Sequence, residues 1–542
     1  MVIIMKKLLC IFVSALLVAG VFGVTASASA KEEAVKTAVF NAAEFGNYLS
    51  SAEAGTQLYS STDVNALYNV IYNGILNSET QIDVSSYQLS ENEENLNLVY
   101  DIIEHIFCKY PELSFKKEKG FSYYYNENTN KILSILLTYN ENYASQYAEY
   151  KEILDNIVAN IPQGFTPLEN VLYTYNYLAL NFRYEQNYHN VPDEDRIRDV
   201  YNFFTKGEGV CVAYSRAFIA IMNELKIKAT YVIDDADEHA WNIVYLDYDK
   251  PYHIDCTHAD PTSDGTVEEN SEDGVKQVTY CYDTAGLVSY DHFLKSDDTI
   301  KNACEHHKEY TTYEEKLFGT DISCTDTAYD SGYVWLNSTV ASPFTYCDGS
   351  WYYMDYDSSN QQATLLKTND FLNSEATEAK VNDIWYANAD LSSNSHYGYK
   401  GSVFTFGNEV CYSTRDDIKL YNPKTKTVSD LDYTKPTLTE DQKAKYIYGC
   451  SYDGHGKITL LLKKDGADLP IDNITIRVNT GSNAEALAAT QKFILTGECK
   501  KNWGYFDVSG DIGIDIRDLV ALKKRSASDS SGDLGEFFPG NW

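Results

Sequence analysis

The 542-residue sequence predicts an α+β core followed by an all-β module and a small helical, acidic tail. Three observations predict this. Between residues 166 and 257, two helical stretches precede two strand-like runs joined by a turn, a segregated helix-then-sheet order that marks α+β architecture. From about 325 to 480, short Tyr- and Trp-rich runs alternate with Asp, Gly, Asn and Ser turns. The residues after 480 return to helix formers interleaved with acids. Tyrosine usage supports the β-rich part: 46 Tyr against 22 Phe favours half-exposed sheet surfaces. At roughly 100–200 residues per domain, the length predicts about three to five domains.

In chain order, Met1 to Ala30 reads as an export signal. Lys6 and Lys7 precede the apolar stretch Leu8 to Val24, and Ala28-Ser29-Ala30 supplies the small residues of a cleavage site. The apolar run is short for a span of roughly 20 residues, so the mature chain is expected to be secreted, extracellular or held at a cell surface. Residues 31–150 mix helix and hairpin. Leu96, Val99, Ile102, Ile103 and Ile106 have helical spacing, and the runs Phe121 to Tyr125 and Lys131 to Tyr139 read as strands around an Asn-rich turn.

The core is expected over 151–320. Thr166-Pro167-Leu168-Glu169 carries an N-cap, a first-position proline and a capping-box glutamate. A second helix begins at Cys211, with Phe218, Ile219, Met222 and Leu225 on its apolar face. Two strand-like runs follow, His239 to Leu246 and Tyr252 to Thr257. The β-rich region is bounded at 321–480, where runs recurring about 50 residues apart loosely suggest propeller blades, too few to close a propeller. The tail, 481–542, has helix formers at Asn483 to Thr496 and again after Asp518.

The balance of 79 acidic against 44 basic residues gives a formal net charge of -35. It argues against a nucleic-acid binder and against docking on anionic lipid, both of which need clustered cations. It suits solubility outside the cell and carboxylates that hold a hard cation. Eleven cysteines are sparse for this length, and the absence of a CxxC pair gives a zinc site little support. Most read as small buried hydrophobes, Cys256 among them, expected to stay reduced.

Three stretches carry chemistry: Gly207 to Ser215 around Cys211, Glu238 to Asn242 around His239, and Tyr252 to Thr257 around Asp255. Cys211 sits where a glycine-bearing loop opens a helix, whose positive end favours a thiolate and whose N–H groups are candidates for an oxyanion hole. A thiolate, an imidazole to move its proton and a carboxylate to orient the imidazole form a nucleophile triad. Singly these residues say little; in order and with their flanks they are specific. Gly209-Val-Cys211, His239-Ala-Trp241 and Asp255-Cys-Thr257, with Asp260-Pro261 after them, resemble the core of the transglutaminase-like superfamily over about residues 150 to 320. Tyr184 and the stretch Tyr290 to Asp297 also fit.

The resemblance implies a papain-like fold with Cys211 as nucleophile, His239 as acid and base, and Asp255 as orienter, acting on a peptide or protein substrate without a catalytic cofactor. A thioester intermediate would pass to water or to a lysine amine. The superfamily also contains inert members, so two alternatives stand beside an acyl transferase or hydrolase. One is a non-catalytic surface binding or scaffold protein, and the other a plain cysteine endopeptidase. The β-rich module would take a glycan or cell-surface ligand in the first of these.

In the tail, Asp507, Ser509, Asp511, Asp515 and Asp518 have the loop spacing of an EF-hand calcium site. The stretch resembles a type I dockerin repeat, with Asn483 to Gly497 resembling its partner helix. Ile512 stands where a glycine normally makes the turn, and the first repeat lacks a ligand loop. The resemblance implies structural calcium and a cohesin partner that tethers the enzyme to a bacterial surface scaffold such as a cellulosome.

Overall fold

The computed structural model describes residues 35–40, 63–117, 120–185, 188, 197–234, 238–260, 262–271, 274–283, 286–357, 359–373, 377–384, 401–452, 456–463, 472–479, 483–496, 502–508, 514 and 516–527. Met1 to Ala30, the expected export signal, lies outside them. No helix among the described residues is long and apolar enough to cross a membrane.

The N-terminal part comprises β1 (Val35–Phe40), α1 (Val64–Leu76), β2 (Gln81–Asp83), α2 (Glu93–Lys109), β3 (Phe121–Asn126) and β4 (Lys131–Leu136). Its four strands form an antiparallel sheet in the order β1-β3-β4-β2. The helical spacing read around Ile102 and Ile103 lies in α2, which buries both together with Leu98, Val99 and Ile106.

The next part opens with α3 (Tyr143–Ala159) and α4 (Pro167–Asn181). The capping box forms as expected: Thr166 Oγ1 accepts from Glu169 N at 3.2 Å while Glu169 Oε2 accepts from Thr166 N at 2.8 Å. After β5 (Arg183–Tyr184), α5 (Val200–Lys206) and β6 (Glu208–Gly209) comes α6 (Cys211–Leu225). Eleven of its fifteen residues are buried, the behaviour of a helix apolar nearly all round. Its Ala213, Tyr214, Ala217, Phe218, Ile221 and Met222 join one hydrophobic core with α3, α4 and α5, whereas Cys211 and Ile219 join the core of the N-terminal sheet. Arg216, on the same helix, donates to Glu104 of α2 at 2.9 Å. The helix that presents Cys211 is therefore clamped from two sides.

The strands β7 (Ala229–Asp234), β8 (His239–Leu246) and β9 (Lys250–Ile254) form a sheet completed by β12 (Thr311–Thr312) in the order β12-β7-β8-β9. Between them lie a ten-residue-per-strand hairpin, β10 (Thr262–Ser271) and β11 (Gly274–Asp283), and α7 (Asp297–Ala303); α8 (Tyr313–Phe318) follows. Asp255 lies one residue beyond β9 rather than within a strand as its sequence suggests. Its N–H donates to His292 O at 3.1 Å, because the segment 292–295 takes over as the neighbour of β9 through a His253–Lys295 bridge.

Beyond residue 320 the described residues form three consecutive antiparallel sheets. β13 (Thr345–Cys347), β14 (Ser350–Asp357), β15 (Gln362–Thr368) and β16 (Thr377–Ile384) make the first. The second is β17 (Val403–Phe406), β18 (Glu409–Ser413), β19 (Ile418–Asn422) and β20 (Thr427–Asp430). The third is β21 (Tyr446–Tyr452), β22 (Lys457–Lys463) and β23 (Asp472–Arg477). β17 and β18 form a hairpin turning at Gly407-Asn408. In β14 successive residues face opposite sides: Trp351 and Tyr353 join the core that contains α4, and Tyr352, Met354 and Tyr356 join the next sheet. The tail helices α9 (Asn483–Thr496) and α10 (Ile516–Ala527) pack with Tyr505 and Phe506 on the second and third sheets.

Candidate active site

The site is assembled where α6 begins. Val210 is extended (φ −106°, ψ −179°), and its carbonyl accepts from Ala213 N at 2.8 Å and Tyr214 N at 3.2 Å, which starts the helix at Cys211. No side chain from the cap residue covers the first turn, so the positive end of the helix dipole faces the cysteine. Immediately before, β6 pairs in parallel with β5, bringing Tyr184 opposite Gly209. Burial raises the Tyr184 pKa, and the negative charge of Cys211 raises it further.

His239 is the first residue of β8, preceded by Glu238 in a left-handed conformation (φ 51°). That turn aims the Glu238 carbonyl at Cys211 Sγ, 3.9 Å away, a sulfur-type contact. His239 stands close enough to Cys211 for its charge to act on the thiol. His239 Nε2 meets Asp255 Oδ2 at 2.7 Å. His239 and Asp255 are thus paired, Cys211 lies against the turn that begins β8, and all three are buried.

The charges of the three residues act on one another. Burial opposes ionisation of Cys211, but the hydrogen bond and charge of His239, with the Ala240 backbone N–H, outweigh it and hold the thiol below its ordinary range. Burial likewise opposes a charged His239, and Asp255 overcomes it, lifting the imidazole well above its usual value. Asp255 itself is desolvated yet held well below the carboxylate range by His258 and His239. The arrangement favours a thiolate–imidazolium pair over a neutral thiol and imidazole.

Several further residues surround the site; Trp241, His253 and Asp297 lie in stretches already singled out in the sequence, whereas His258 and His307 do not. Trp241 stacks on His239 with centroids 5.6 Å apart, and its Nε1 donates to His253 Nδ1 at 3.0 Å. His253 Nε2 in turn meets Asp297 Oδ1 at 2.9 Å. Asp255 is more crowded than a simple triad requires. Its Oδ1 accepts from Thr257 N at 2.8 Å and His258 N at 3.2 Å, and its Oδ2 also meets His258 Nδ1 at 2.7 Å and His307 Nε2 at 2.9 Å. One signal was available: six of the ten histidines fall between His239 and His307.

Of the expected calcium ligands, Ser509, Asp511 and Asp515 lie outside the described residues. Asp507 and Asp518 are buried, and Val508 N donates to Asp518 Oδ1 at 2.8 Å, so the second and last loop positions meet.

No curated protein sequence matches the chain. A solved structure described as "Crystal structure of a TGase" is similar at 16% identity and a TM-score of 0.18, covering 32% of this chain and 49% of that one. The chain thus spans about half the length of that structure. The family profile described as "Transglutaminase-like superfamily" matches residues 153–256, which reach from α3 past Cys211 and His239 to the residue after Asp255. Residues 153–256 of this mixed helix-and-sheet chain are a transglutaminase-like domain.

Proposed function

We propose that the chain is an exported cysteine-dependent acyl transferase or hydrolase that acts on peptide or protein amide bonds. The observation that carries this reading is the buried His239–Asp255 pair at 2.7 Å beside the buried Cys211, whose thiol His239 holds below its ordinary pKa. In the proposed reaction the Cys211 thiolate attacks a carboxamide or peptide carbonyl, and the helix N-terminus faces the oxygen that gains charge. His239 gives its proton to the departing amine, leaving a thioester. Water or a primary amine then attacks, His239 takes the proton of that nucleophile, and the thiolate departs.

The deciding experiment offers the protein a glutamine-containing peptide with and without a primary amine and weighs the products. An amine adduct marks transfer, a one-unit mass gain marks deamidation, and cleaved peptide marks an endopeptidase. No product under any condition, with Cys211 intact, leaves the inert scaffold reading. A second measurement addresses the nucleophile itself. At pH about 6 an unperturbed thiol is roughly 0.3% ionised, yet iodoacetamide is expected to label Cys211 in the folded protein at that pH. Labelling of Cys211 no faster than in the denatured chain, located by mass mapping, would overturn the assignment.

For the tail, we extend the proposal to calcium held by Asp507, Ser509, Asp511, Asp515 and Asp518, with a cohesin as partner. The oxygen-rich donor set suits a hard cation. Calcium is expected to raise the melting temperature of the chain and Asp511→Ala to remove that effect; identical melts with calcium and chelator would reject it.

A further inference from the structure

Beside Asp255, three donors converge that the proposed reaction does not use. His258 follows the β9 end, His292 lies in the segment that bridges to β9, and Cys304 immediately follows α7. One ring nitrogen of His258, one of His292 and Cys304 Sγ all lie within 4.8 Å of one another. The His258 and His292 rings have centroids 4.5 Å apart. His258 Nε2 stands 3.9 Å from Cys304 Sγ. A tetrahedral zinc with Zn–N of about 2.0–2.1 Å and Zn–S of about 2.3 Å separates its nitrogen and sulfur ligands by about 3.5 Å, so this pair needs an adjustment of only a few tenths of an ångström.

The remaining nitrogen of His258 is already held. Its Nδ1 meets Asp255 Oδ2 at 2.7 Å, which fixes the ring and turns Nε2 toward the sulfur. A carboxylate that orients a ligating imidazole is the usual outer support of a histidine metal site. His307 is held in the same way, Nε2 on Asp255 at 2.9 Å and Nδ1 toward Cys304 at 2.7 Å. That last separation is shorter than two ligands of one ion can adopt, so His307 acts as a neighbour that completes the site on rotation, not as part of the minimal set. A second cluster, His253, Asp297 and Cys324, lacks this character, because both nitrogens of His253 are already bonded to Trp241 and Asp297.

The geometry points to a transition-metal site of the zinc class formed by His258, His292 and Cys304, oriented by Asp255 and separate from the Cys211 thiol. One sulfur and two imidazole nitrogens select zinc or cobalt over calcium or magnesium, which take oxygen. Cys304 is only half-buried, so the fourth position is open to His307 or water. The site does not depend on the chain being catalytic. It spans residues 258 to 304, a spacing without a CxxC pair, which is why its sequence gave no zinc signal.

The test titrates cobalt(II) into the metal-stripped full-length chain in the presence of calcium. About one equivalent is expected to produce a thiolate-to-cobalt charge-transfer band, which oxygen ligands in the tail cannot give. Cys304→Ser is expected to abolish the band and His292→Gln to weaken binding at least about tenfold, while Cys211→Ser and Cys324→Ser leave it intact. Because a variant can misfold, zinc protection is read in the unmutated protein as well. Zinc is expected to slow alkylation of Cys304, located by mass mapping, without slowing that of Cys324. A band that survives Cys304→Ser or disappears in Cys324→Ser, or Cys304 alkylation unchanged by zinc, would overturn the site.

Discussion

Asp255 is where the chemistry of the site meets at the scale of single residues. A fully buried carboxylate is costly unless its charge is matched, and here Oδ2 alone meets His239, His258 and His307. Asp255→Asn keeps the shape but replaces one acceptor oxygen with a donor and removes the charge that keeps His239 protonated. Turnover is expected to fall by about 10³- to 10⁴-fold, the scale found when the orienting aspartate of a triad becomes asparagine. Alkylation of Cys211 at pH about 6 should slow in parallel, because the thiolate loses its imidazolium partner. Turnover within a few-fold of the unmutated protein would show that Asp255 orients nothing. The three residues of the proposed triad could be picked out in the sequence because each sits in a short motif with its own flanks. The part of His307 could not be picked out, since it meets Asp255 only through the way residues 290–307 fold back along β9 and no local pattern encodes that return.

At the scale of elements, the start of α6 depends on Gly209. A Cβ there would lie 2.7 Å from Phe203 Cδ2, 2.8 Å from Ala213 Cβ and 3.0 Å from Ile197 O, a space closed by the two elements it joins. Gly209→Ala is therefore expected to cost about 1–3 kcal/mol through overpacking and to shift the first turn that carries Cys211. The denaturation midpoint should drop, with activity falling more than stability alone explains; an unchanged midpoint and rate would refute the close packing. Element starts were the most readable features, as the capping box at Thr166 and the helix opening at Cys211 illustrate, because caps are local chemistry. Strand ends were less so. Asp255 appears continuous with its strand in sequence, but its N–H pairs with His292 instead of continuing the β8 ladder. The β10–β11 hairpin also went unread: its first strand, TSDGTVEENS, is polar and glycine-bearing and lacks the alternation that announces a half-buried strand.

At the scale of the whole molecule, the first β sheet and the transglutaminase-like domain share one hydrophobic core. Trp351 is the joint. Its ring lies 5.2 Å from Phe165 and 5.4 Å from Phe371, and its Nε1 donates to Glu169 Oε1 at 3.0 Å. Glu169 is the capping-box residue of α4, so one carboxylate serves both contacts: Oε2 reaches back to Thr166 while Oε1 receives the indole. Trp351→Ala is expected to cost about 3–5 kcal/mol, the range for removing a buried tryptophan, and Thr166→Ala about 1 kcal/mol, the loss of an N-cap. Two sites with no shared partner add within about 0.3–0.5 kcal/mol, whereas residues coupled through one group do not. The double variant should therefore depart from the sum of the singles by more than about 0.5 kcal/mol, because freeing Glu169 from the indole changes how well it can cap. Circular dichroism melts of the four proteins measure this directly. If the β sheets unfolded in a separate transition and the helical signal of the transglutaminase-like domain were untouched by Trp351→Ala, the shared core would not be a unit of stability. A single transition that moves with both substitutions makes the sheet at Trp351 part of what holds α4, and through the core it shares with α6, part of what positions Cys211.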